Sequence, residues 1–92
     1  AVAGIHARAS VSPEAIVVES VVGPDTTVEA GATVADSLLL PGASVGAGST
    51  VERSIVAGVV TDRCVVTDSV VGAGHTVTPG TTVESRRLPD PG

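Results

Sequence analysis

Aliphatic side chains recur along this chain in three interleaved series. The first reads Ile5, Val22, Leu39, Val56, Val71; the second Val11, Val28, Val45, Val60, Val77; the third Val17, Val34, Val51, Val66, Val83. In every series the step is seventeen residues, shortened once to fifteen, and the second and third members of each block lie six apart. Five blocks result, covering residues 2–18, 19–35, 36–52, 53–67 and 68–84, with Ser85 to Gly92 left as a short tail. Two residues before most of these aliphatics stands a small side chain, as with Ala32, Ser49, Cys64 and Thr81 before the third series. Turn formers fill the gaps: Gly23-Pro24-Asp25, Ala30-Gly31, Pro41-Gly42, Ala47-Gly48, Pro79-Gly80.

Residues two apart share a face of a strand, so the small residue and the aliphatic point inward together. Gly, Pro and Asp supply the corner after each short strand. Three strand-and-corner units bring the chain back to its start one strand spacing higher, and the inward residues stack in columns. A helix is excluded by β-branched Val and turn residues recurring about every six positions. A two-sheet sandwich would space its turns at about 8–12 residues. The pattern therefore predicts an all-β solenoid, a single-stranded parallel β-helix of about five coils of ~17 residues.

Composition narrows the picture. The chain has 92 residues and no Phe, Tyr, Trp, Met or Lys, so its core must be narrow and filled by side chains of Val size. The missing initiator Met marks it as an expected fragment, since Ala1-Val2-Ala3-Gly4 is too short for a signal peptide. A net charge of −5 without a basic patch argues against nucleic acid and anionic lipid as partners. No apolar run approaches the ~18 residues of a membrane span. The single cysteine, Cys64, excludes an intrachain disulfide framework and fits a cytoplasmic origin.

The units Val28-Glu29-Ala30-Gly31-Ala32-Thr33 and Val45-Gly46-Ala47-Gly48-Ser49-Thr50 resemble those of the hexapeptide-repeat, left-handed β-helix family. The left hand is implied by that resemblance alone, because general chirality rules favour right-handed crossovers. More narrowly, the coil openings Asp36-Ser37-Leu38-Leu39 and Asp68-Ser69-Val70-Val71 resemble the C-terminal domain of sugar-1-phosphate nucleotidyltransferases of the mannose-1-phosphate guanylyltransferase and ADP-glucose pyrophosphorylase type. That resemblance implies a non-catalytic oligomerisation or regulatory domain whose parent protein is a nucleotidyltransferase. The alternatives are a fragment of a hexapeptide-repeat acyltransferase and a stand-alone structural β-helix. The catalytic domain of the nucleotidyltransferases carries a glycine-rich phosphate loop with nearby basic residues. Here Gly46-Ala47-Gly48 and Gly72-Ala73-Gly74 sit on coil corners with no helix behind them.

Accordingly, neither catalytic residues, cofactor site nor metal site is assigned within the chain. Hexapeptide acyltransferases use a histidine as base, and His75 is the candidate. It occupies a small inward slot equivalent to Thr26 and Ala43, with Gly58 one coil below over which a ring has room to lean, and a structural or exposed histidine is the preferred reading. A shared zinc site would need three histidines, whereas His6 and His75 lie four coils apart, roughly 19 Å along the axis. Cys64 falls in a small inward slot and is expected to act as a buried hydrophobe. Glu19, Asp36, Arg53 and Asp68 share one column, which predicts an exposed ion-pair ladder.

One surface stands out. If Ser20, Ser37, Ser54 and Ser69 point inward, the residues that follow them, Val21, Leu38, Ile55 and Val70, point outward and stack into an apolar stripe. The corresponding positions elsewhere are Thr27, Ser44, Thr76, Thr33 and Thr50, so only one face should be greasy. Monomers rarely expose a contiguous apolar stripe. The expected cover is another copy, in a trimer as in the wider family or in a dimer, or a missing N-terminal catalytic domain.

Overall fold

The computed structural model describes residues 4–5 and 7–88. All regular structure among them is β, in sixteen short strands that form three parallel sheets. Sheet A takes Gly4–Ile5, Val21–Val22, Leu38–Leu39, Ile55–Val56, Val70–Val71 and Arg87–Leu88. Sheet B takes Ser10–Val11, Thr27–Val28, Ser44–Val45, Val59–Val60 and Thr76–Val77. Sheet C takes the three-residue strands Ile16–Val18, Thr33–Ala35, Thr50–Glu52, Val65–Thr67 and Thr82–Glu84. The chain visits A, B and C in turn and then climbs one coil, so every strand pairs only with its equivalent in the coil above or below.

The register is the one the columns demand. Val22 pairs with Leu39, Val45 with Val60 and Val66 with Val83, all in parallel. From Val22 to Val83 the aliphatic columns are at most 3% exposed, and Ala32, Ala43, Ser49 and Cys64 fill the remaining space at 0%. Ile5, Val11 and Val17 are less buried because they lie at the end of the stack. The solenoid also continues past Glu84. Arg87–Leu88 pairs with Val70–Val71, and Leu88 packs against the core, so part of the expected tail opens a further turn.

The three kinds of corner differ. Between sheets C and A only two residues turn the chain, and the first of them adopts positive φ: Glu19, Asp36, Arg53, Asp68 and Ser85, all between 49° and 51°. This left-handed conformation is uncommon outside glycine. In the first four of these corners the second residue is an inward serine, and it completes the corner. Ser37 Oγ donates to the Ala35 carbonyl at 2.7 Å and accepts the Ser54 N–H at 3.2 Å. Ser20, Ser54 and Ser69 repeat the arrangement, the last accepting from the Arg86 N–H at 3.0 Å. A corner amide that no strand ladder reaches is thus satisfied by the serine one coil below. Leaving such a buried donor unpaired would cost about 1–3 kcal/mol.

The shortened block loses its two residues at the corner between sheets A and B. Leu40 to Ala43 fills this corner in one coil and Gly72 to His75 in another, but Ala57-Gly58 alone turns the coil between them. The corner is drawn inward, and a Cβ on Gly58 would stand closer than 3.0 Å to the backbone carbonyl oxygens of His75 and Gly72. Backbone atoms of the next coil therefore demand the glycine, whatever the His75 side chain does.

Candidate functional site: the outer face of sheet A

In two-residue strands whose second residue faces the core, the first must face out. In sheet A the outward column reads Val21, Leu38, Ile55 and Val70 over four successive coils, bounded by Gly4 and Arg87. Val21 and Ile55 are 53% and 39% exposed, while Leu38 and Val70 are partly exposed. The four serines before them are buried, which fixes the alternation. Val21, Leu38 and Ile55 floor a shallow concavity edged by Glu19, Asp36 and Arg53 on the adjoining corner.

The other faces are not wholly polar, contrary to the expectation of a single greasy face. Sheet B exposes Val59 between Ser44 and Thr76, and sheet C exposes Ile16 and Val65 separated by Thr33 and Thr50. What distinguishes sheet A is continuity: four apolar residues in neighbouring coils, against isolated ones elsewhere.

The charged corner is more sparsely paired than a ladder. Arg53 grips Asp68 with two bonds, Nε to Oδ1 at 2.8 Å and Nη2 to Oδ2 at 3.2 Å. The hydrogen bond from Arg53 holds the Asp68 carboxyl below the usual aspartate range, and the same bond raises the Arg53 guanidinium. Asp36, on the opposite side of Arg53, has no ion-pair partner among the described residues. The fourfold ladder expected from the sequence thus reduces to one rung.

The remaining candidates are placed as follows. His75 is partly buried and lines a concavity at the C-terminal end of the solenoid with Thr78, Thr81, Arg86 and Leu88. Among the described residues no carboxylate lines that concavity. Cys64 is buried, its Sγ lying 3.1 Å from the Thr78 carbonyl oxygen. His6 lies outside the described residues. Among the described residues no three His, Cys, Asp or Glu side chains gather as a metal would need, and no helix is long and apolar enough to cross a membrane.

These features define a parallel β-solenoid that carries a contiguous outward apolar column on sheet A. The chain belongs to the GMPPB C-terminal domain family, whose model matches residues 2–88. It is thus a left-handed β-helix domain of the kind associated with nucleotidyltransferases. Among curated proteins nothing matches the chain. Among solved structures it is similar to the acetyltransferase domain of PglB from Neisseria gonorrhoeae FA1090, solved with acetyl coenzyme A. That match has 28% identity and a TM-score of 0.46, and covers 90% of this chain and 43% of the other. It is also similar to perosamine N-acetyltransferase from Caulobacter crescentus, solved with CoA and GDP-perosamine. Here identity is 23% and the TM-score 0.44, over 96% of this chain and 54% of the other. The chain thus spans about half the length of these structures.

Proposed function

We propose that this chain is the assembly and regulatory domain of a cytoplasmic sugar-1-phosphate nucleotidyltransferase, and that it works through the outer face of sheet A without chemistry of its own. The observation that supports this reading is the unbroken outward column Val21, Leu38, Ile55, Val70 in a chain of the GMPPB C-terminal domain family. Apolar side chains exposed in one contiguous patch mark interaction surfaces. The core is complete without them, so the face is available for association at little cost to folding.

Replacing Leu38 and Ile55 together by Asp tests the proposal. The double variant is expected to retain the far-UV spectrum and to melt within a few degrees of the wild type. Its sedimentation should show assembly lost, whether with other copies or with the catalytic domain of the intact enzyme. Unfolding of the variant, or assembly that persists unchanged, would remove the basis for the proposal.

A further inference from the structure

We infer that sheet A docks on sheet A of a second copy in antiparallel orientation, about a two-fold axis that lies in the face and runs parallel to its strands. The inference rests on the reading above that this face is an interface, and it names the occupant.

Along the column the outward residues run Gly4, Val21, Leu38, Ile55, Val70, Arg87. A two-fold axis of this kind reverses the order of coils while keeping each corner on the same side. Placed between the coils of Leu38 and Ile55, it sets Leu38 against Ile55 of the second copy and Val21 against Val70. The apolar stripe then covers itself completely. At its ends Arg87 passes over Gly4, whose Cβ position has nothing within 4 Å among the described residues. The corner beside the stripe is self-complementary at its centre, because the exposed Asp36 of one copy meets Arg53 of the other, twice over. Arg53 can serve both carboxylates, since a guanidinium has five donors and two already hold Asp68. Glu19 falls opposite Asp68, a like-charge pair at the outer ends of the corner that Arg53 offsets only in part.

A parallel arrangement, as in a trimer, lacks these features. It would bring copies of Arg87 to one level and set the charged corner against the uncharged edge formed by Gly23, Leu40 and Ala57. The apolar area is small against the ~800 Å² per partner of standard interfaces, so the dimer should dissociate measurably on dilution.

The test uses single cysteines on the outward column and a short bismaleimide, with wild type controlling for the buried Cys64. Val21→Cys mixed with Val70→Cys is expected to give covalent dimers, while neither variant alone does. In parallel, Arg53→Asp and Asp36→Arg should each weaken self-association at least about tenfold, and an equimolar mixture should restore it. Both substitutions suit the fold, since the same positive-φ column natively holds Asp and Arg. Cross-linking of Val21→Cys to itself would overturn the antiparallel dimer. So would a wild-type chain that sediments as a monomer at every concentration. If the Leu38/Ile55 double substitution still released the catalytic domain in that case, the interface reading would survive and only the second copy would be lost.

Discussion

Replacing Gly58 by alanine is expected to destabilise the solenoid by about 3 kcal/mol or more, at the upper end of what overpacking costs. The reason is space rather than dihedral freedom. Gly58 has no positive φ, but its Cβ position is already taken by the His75 and Gly72 carbonyl oxygens. The His75 carbonyl accepts the Val59 N–H at 2.9 Å, so it cannot retreat without breaking the ladder between coils. Gly42 is the control. It has a φ of 84° and nothing within 4 Å of its Cβ position, so Gly42→Ala should cost only about 1–2 kcal/mol for the left-handed conformation. Urea denaturation of the two variants checks the order. Equal losses would mean that the two-residue deletion is absorbed elsewhere.

Leu39→Ala and Leu38→Ala should differ more sharply than any other pair of neighbours. Leu39 is fully buried, with Val22 and Val56 as its neighbours in the column, and is the largest of the fully buried side chains. Its truncation leaves a cavity between two coils and is expected to cost about 2–5 kcal/mol. Leu38 faces outward, and its truncation should change the stability of the monomer by no more than about 0.5 kcal/mol. Assembly, by contrast, should respond to Leu38→Ala. Thermal or chemical denaturation at low protein concentration, paired with sedimentation at high concentration, separates the two effects. A large loss of monomer stability for Leu38→Ala would contradict the assigned alternation.

The coils were legible in the sequence because the core consists of identical small aliphatics, and stacking forces like onto like. Val22, Leu39 and Val56 could be aligned by counting alone. The stripe on sheet A was legible for the same reason, since a buried serine before each pair leaves the first aliphatic only the outer face. Other features depend on backbone geometry that residue identities disguise. Glu19, Asp36, Arg53 and Asp68 look like a charge ladder, yet what they share is a left-handed corner, and only Arg53 and Asp68 are joined. Gly58 looks like room for a ring, but its constraint comes from carbonyls of the neighbouring coil. Leu88 stands seventeen residues after Val71, a lag that could have carried the solenoid past Glu84. Arg86 hid it by standing where the four preceding coils have serine.

The measurement that bears most directly on sheet A as the working surface is methyl accessibility to a soluble paramagnetic probe as the protein assembles. The methyl signals of Val21, Leu38, Ile55 and Val70 should be broadened by the probe in dilute protein and protected in the assembly. The methyls of Thr27, Thr33, Thr50 and Thr76 should remain broadened throughout. Protection of the threonine faces, with the four sheet A residues still open to the probe, would contradict the account.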